Sequence, residues 1–248
     1  MAYRSLTLSH PINLGQVCHP SPTRAIVGTS ILEGTVHLLD EEDLVKTGAS
    51  DKAHWVYSGV LGPLQRKRFQ LAVRLLGNHR FGRLLEIGYG SGVFLPELAR
   101  RCTKLYAADV HMRGGSVREV LTKRNLSVGI VCASMAELPF ADGCMDCVVA
   151  ISCLEYCPDQ DAVCQTIRRI LVPGGLLVLV TPGYSRLVDF GLWVVTGTDA
   201  REEYGLRRET LIATLKKYFA IDARINFPFG FAASGNLYRA LRVRTSLA

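Results

Sequence analysis

Apolar and polar positions along this chain follow two periods. Between Gln65 and Leu76 the apolar residues are Phe69, Ala72, Val73, Leu75 and Leu76, with Arg66, Lys67, Arg68 and Arg74 on the other side. That spacing predicts an amphipathic helix. Short apolar runs then alternate with helical stretches. Arg83–Gly88, Lys104–Asp109, Val128–Cys132, Asp146–Ser152 and Leu176–Thr181 read as strands. Val93–Arg101, Ser116–Arg124 and Asp161–Leu171 read as the helices between them. The fourth strand is apolar along its length, as expected where both faces are covered. Pro173-Gly174-Gly175 reads as a turn into the fifth. This order predicts an α/β fold: a doubly wound, Rossmann-like, mostly parallel sheet with helices on both faces. A helix at Arg208–Phe219 and strand-like pieces at Ala220–Phe227 and Asn236–Val243 follow, the final strand antiparallel. The first 50 residues are irregular, with one or two helical turns expected at Leu38–Val45.

Composition changes this picture little. With 248 residues, 48% apolar and 21% charged, the chain can bury one sizeable α/β core. No apolar run approaches the roughly 20 residues that span a bilayer, and Met1–Leu14 has no sustained apolar segment of the secretory kind. The net charge of +7 permits an anionic partner without requiring one. Its basic pairs, such as Arg100-Arg101 and Lys216-Lys217, are dispersed over different helices, as on solvated faces, so a nucleic-acid partner is not favoured. Of eight cysteines, Cys144 and Cys147 form a CxxC, but no second pair or nearby His completes a tetrahedral set. No metal is expected, and free thiols point to a reducing, cytoplasmic setting.

The informative stretch is Leu85-Glu86-Ile87-Gly88-Tyr89-Gly90-Ser91-Gly92. Strand, glycine turn and helix follow in the order of a nucleotide-type site. A dinucleotide fingerprint wants glycine at position 93, where Val93 stands. Here an acidic residue, Glu86, precedes Gly88, and Asp109 ends the next strand. A carboxylate there has the acceptor oxygens that a ribose diol requires.

With these residues the sequence resembles the class I S-adenosylmethionine-dependent methyltransferases, most of all the branch of quinone-biosynthesis and other small-molecule methyltransferases. Leu85–Gly92, Ala107–Val110, Ala133–Phe140 with its Leu-Pro-Phe, and Asp146–Glu155 followed by Leu171–Gly175 carry the resemblance. It implies S-adenosylmethionine as cofactor, with Glu86 near the methionine amino group and Gly88, Gly90 and Gly92 in the loop around the methionine and ribose. It implies Asp109 at the ribose diol, Ser134 and Met135 at the adenine, and Ile151 beside the sulfonium. Ser134 replaces the usual Asp, and Tyr89 replaces a residue that is often small or polar. The resemblance also implies that residues 1–64 cover the cofactor site and that 65–248 form the cofactor-binding domain.

Methyl transfer is mainly alignment and desolvation, and a base is needed only where the nucleophile carries a proton. His54, Tyr57 and Tyr156 are the candidates for catalytic roles, Tyr156 standing where the family often has His. The segment at about 184–206 reads as a lid or substrate segment. Its apolar run Leu187–Val195, with Tyr184 and Trp193, suits a hydrophobic or aromatic small-molecule acceptor. Methylation of RNA or protein, and an inactive cofactor-binding regulatory subunit, are the alternatives. Oligomeric state is not legible.

Overall fold

The computed structural model describes residues 35–48, 51–183, 207–228 and 236–245. Helix α1 (Gly62–Leu76) leads into β1 (Phe81–Ile87), α2 (Leu95–Ala99), β2 (Cys102–Asp109), α3 (Gly114–Lys123), β3 (Val128–Cys132) and β4 (Met145–Ile151). Then follow α4 (Gln160–Ile170), β5 (Leu171–Pro182), α5 (Arg207–Tyr218), β6 (Ala220–Phe227) and β7 (Tyr238–Arg244). The seven strands lie in the order β3-β2-β1-β4-β5-β7-β6. Pairings among β1 to β5 are parallel, and β7 is antiparallel to both its neighbours. This is the doubly wound sheet that the alternation of runs predicts.

Period-2 alternation sorts each central strand between two cores. Cys147, Val149 and Ile151 of β4 face one layer with α1, α2 and α3, whereas Val148 and Ala150 face the other with α4 and α5. Helix α4 shows the matching helical period: Val163, Cys164, Ile167 and Ile170 are buried, and Asp159 caps its start by accepting the Ala162 N–H at 2.9 Å. Strand order reverses between β1 and β4, so a crevice is expected outside their carboxyl ends.

Two local expectations change. Pro173-Gly174-Gly175 lies inside the span of β5, in the register shift where Met145 pairs Leu171 but Cys147 pairs Leu176. Gly174 takes φ +73°, so the turn is a bulge within the strand. Helix α2 is also shorter than its apolar pattern, because the glycine loop holds the chain out of helix as far as Phe94. Cys144 and Cys147 belong to opposite core layers, so the CxxC does not converge. Among the described residues no cluster of His, Cys, Asp and Glu could hold a metal, and no helix is long and apolar enough to cross a membrane.

Candidate functional site

The crevice is built by the loop after β1. Gly88, Gly90 and Gly92 have φ of +71°, +52° and +80°, torsions that side chains with a Cβ rarely adopt. The next strand end locks this loop. Asp109 Oδ2 accepts the Gly90 N–H at 2.9 Å and Oδ1 accepts the Val110 N–H at 2.7 Å. His111 Nε2 donates to the Gly90 carbonyl at 2.9 Å, while its Nδ1 accepts the Arg113 N–H at 3.2 Å. Those two bonds fix the Nε2–H tautomer. The Tyr89 ring stacks edge-on against His111 at 4.8 Å and is buried in the core, so Tyr89 shares the loop through its backbone.

Glu86 lies one residue before the end of β1 and is 4% exposed. Its Oε2 has no hydrogen-bond partner among the described residues. Burial, and then the Asp109 charge, push its carboxyl well above the usual range, against the pull of Arg68 from α1. A buried carboxylate without a partner is costly, and a ligand cation would relieve it. At Gly90 a Cβ would meet nothing nearer than Asp51 Oδ1 at 3.9 Å, so the backbone there is open to a ligand. Each Asp109 oxygen retains a lone pair beyond its backbone bond. These three features fit the amino, methionine and ribose parts of S-adenosylmethionine.

Beyond Asp109 two large apolar side chains stand exposed. Val110 and Met112 are exposed, and Cys132 lies 3.7 Å from the Met112 sulfur. Ser134 is exposed, its Oγ accepting the Ala136 N–H at 3.3 Å, and Met135 packs partly on the second core layer. Ile151, 7% exposed, ends β4.

The segment before α1 packs over the glycine loop. The Leu39 N–H donates to the Val93 carbonyl at 3.0 Å, and the His37 N–H donates to Glu97 Oε2 at 3.0 Å. Between them is a cleft of ≈ 310 Å³ lined by Leu44, Lys46, Asp51, His54 and Ser91 among others. His54 is therefore at the loop, but exposed, with Trp55 edge-on against its ring. The Tyr57 hydroxyl donates to the Leu39 carbonyl, and burial with nearby Asp40 and Glu41 pushes its pKa to about 12. Tyr57 thus pins the segment and holds its proton.

At the ends of β4 and β5 the chain makes a second polar group. Ser152 takes φ +52° and donates its N–H to the Val180 carbonyl at 2.7 Å. Glu155 follows in the short helical turn Leu154–Tyr156. It is 1% exposed, and among the described residues neither carboxyl oxygen has a partner in hydrogen-bond geometry. Tyr156, by contrast, is exposed. Tyr184 and Trp193 lie outside the described residues. Arg68, His111, Glu155 and Thr181 are absent from the sequence-based candidates. Of these, Glu155 carried a signal as the end of the Asp146–Glu155 stretch, and His111 by its place two residues after Asp109.

Comparison with known proteins agrees with this geometry. Residues 85–179 match the family model described as a methyltransferase domain. The biotin biosynthesis bifunctional protein BioHC of Cellvibrio japonicus is 29% identical over 138 residues, 56% of this chain and 27% of that protein. The malonyl-[acyl-carrier protein] O-methyltransferase of Chlorobium phaeovibrioides is 31% identical over 130 residues, 50% of each chain. The chain spans half or less of the length of these curated relatives. Among solved structures, the N-methyltransferase NodS of Bradyrhizobium japonicum with S-adenosyl-L-homocysteine superposes with a TM-score of 0.58. That match is 23% identical and covers 79% of this chain and 93% of NodS, a likeness of fold. The glycine loop and the two acidic strand ends thus lie within residues 85–179, the span that matches the methyltransferase-domain model.

Proposed function

We propose that this chain transfers a methyl group from S-adenosylmethionine to a small organic acceptor. The observation that carries the reading is the pairing of the Glu86 carboxyl, whose Oε2 has no hydrogen-bond partner among the described residues, with the Asp109-latched loop at adjacent strand ends. When bound, the cofactor supplies an electrophilic methyl on a cationic sulfur. The residues supply position. Glu86 receives the amino group, Asp109 the ribose diol, and the open backbone at Gly90 lets the ligand approach. Val110, Met112, Ser134 and Met135 border the adenine, and Ile151 stands beside the sulfonium. Holding donor and acceptor in line is worth several kcal/mol of barrier, about 7–11 in favourable cases.

The acceptor is a hydrophobic or aromatic metabolite, with Tyr184 and Trp193 in its pocket wall. The apolar run Leu187–Val195 supports this, as do matched relatives named for ubiquinone, menaquinone and sterol methylation. The chain works in the cytoplasm, a reading supported by the described cysteines, which are all free.

The test is transfer of tritiated methyl from S-adenosylmethionine to a fractionated metabolite extract and, separately, to total RNA, at 50 and 200 mM salt. The expected result is label in the small, apolar fraction with a shallow salt dependence. Transfer to RNA with a steep salt slope, the mark of phosphate contacts, would overturn the acceptor class.

A further inference from the structure

We propose that Glu155 takes a proton from the acceptor, so that the acceptor's nucleophile is a protic group such as a phenol or enol rather than a thioether or tertiary amine. This rests on the methyltransferase reading and names the substrate class of the same site.

The Glu155 backbone is fixed while its carboxyl is left unused. Its carbonyl accepts from Arg207 Nε at 3.1 Å. The turn around it is closed by Tyr156 N–H to Cys153 O at 3.1 Å and Cys157 N–H to Leu154 O at 3.2 Å. The preceding Ser152, in a left-handed conformation, ties the end of β4 to β5. Strain of that kind persists only where its surroundings enforce it, and it gathers at functional sites. The buried Thr181 hydroxyl at the end of β5 and the turn's own N–H face the Glu155 carboxyl, yet among the described residues neither Glu155 oxygen has a partner in hydrogen-bond geometry. Buried carboxyls are almost always paired, so one held in place without a partner calls for a role outside the fold.

The charges around it locate the role. Arg208 approaches from α5 and Arg68 from α1, and Thr181 faces it from β5. Arg208 spends its Nη1 on the Gly183 carbonyl at 3.1 Å. Glu155 follows the carboxyl end of β4, which pairs in parallel with β1, so it shares the carboxyl edge with Glu86, and Arg68 acts on both. Cys153, the thiol nearest in the chain, donates to the Ile87 carbonyl at 3.2 Å. Burial outweighs Thr181, the turn's own N–H and both guanidinium groups, and brings the Glu155 carboxyl up to about 7. A carboxylate there is a far better base at neutral pH than an ordinary Glu.

The step balances. The acceptor's lone pair forms the bond to the methyl carbon, and the carbon–sulfur bond breaks with its electrons staying on sulfur. The acceptor's proton passes to the Glu155 carboxylate, and the resulting acid returns it to water before the next turnover. A thioether or tertiary amine has no proton to give and leaves Glu155 idle.

Glu155→Gln and Glu155→Asp test this. Carbon-13 spectra of side-chain carboxyls in the wild-type protein should show a Glu signal titrating near neutrality that is absent from Glu155→Gln and distinct from that lost in Glu86→Gln. Glu155→Gln should bind S-adenosylhomocysteine like wild type in calorimetry. With tritiated S-adenosylmethionine and the metabolite extract, its rate at pH 7 should fall roughly 100- to 10,000-fold. The acid limb of its pH profile should disappear. Glu155→Asp, which keeps the carboxylate, should retain a limb at a reduced rate, and it decides the matter if Glu155→Gln does not fold. A wild-type rate and limb in Glu155→Gln, a Glu155→Asp profile without a limb, or a labelled product that is a sulfonium or quaternary ammonium would overturn the proposal. A wild-type protein that binds S-adenosylhomocysteine yet labels nothing overturns the methyltransferase reading beneath it, and this proposal with it.

Discussion

A Cβ on Gly88 would stand 2.5 Å from Cys153 Cβ and 2.9 Å from its sulfur. The glycine after β1 is therefore pressed against the turn after β4, and the two ends of the switch point close on each other. Gly90, two residues on, faces open space instead. Two glycines of one motif thus serve different ends, the first for packing and the second for ligand approach.

That difference predicts opposite phenotypes. Gly88→Ala should lower the melting temperature by several degrees, since a positive φ costs an Ala about 1 kcal/mol and the clash adds to it. Cys153→Ala should not rescue it, because the offending Cβ remains; Cys153→Gly should rescue it in part. Gly90→Asn should melt close to wild type, because Asn tolerates left-handed torsions, but should bind S-adenosylhomocysteine at least tenfold more weakly. Thermal melts and calorimetry on the four variants check both halves. Gly90→Asn with wild-type affinity would remove the loop from the site.

The glycine loop was legible because its signal is local. Torsion demands fall on Gly88, Gly90 and Gly92 themselves, and acidic residues flank them at fixed offsets. The five parallel strands were legible for a similar reason: buried strands read as apolar runs, and β3 has the bounds its pattern predicts. The bulge at Pro173-Gly174-Gly175 was not, because those residue types suit a turn and a bulge equally. Arg68 and Glu155 were missed for a different reason. Arg68 on α1 acts on Glu155 in the turn after β4 only through the tertiary fold, and no periodicity encodes that approach. Tyr89 shows the converse: its place between two glycines suggested a site residue, while its ring packs against His111.

Asp109 is expected to matter for fold as well as for ligand. Its carboxylate accepts two backbone N–H groups, one of them in the glycine loop. Losing charge-assisted bonds costs about 1.5–3 kcal/mol. Asp109→Ala should therefore weaken S-adenosylhomocysteine binding by roughly 10–100-fold and also lower the melting temperature by about 3–10 °C. Asp109→Asn keeps one carbonyl acceptor and should lose affinity with a smaller thermal cost. Unchanged affinity in Asp109→Ala would exclude it from the ribose site, and an unchanged melting temperature would show that the latch on Gly90 is dispensable.

Glu86 links the ligand to pH. Burial and the Asp109 charge raise its folded-state value well above the ordinary 4.5, so the folded protein holds a proton that the unfolded chain has lost. The stability this proton lends is complete below about pH 4.5 and declines as pH rises through the folded value. The melting temperature of wild type should therefore fall with rising pH more steeply than that of Glu86→Gln, which cannot ionise. A ligand ammonium at this carboxyl reverses the preference by favouring the charged form. Binding of S-adenosylhomocysteine should then expel a proton, and its affinity should rise with pH until Glu86 is ionised in the free protein. Calorimetry across a range of pH, in pairs of buffers of different ionisation heat, counts that proton directly. Glu86→Gln should bind more weakly and release none. Equal proton release from both proteins would place the ligand's cation elsewhere and leave Glu86 as a buried acid with a structural role alone.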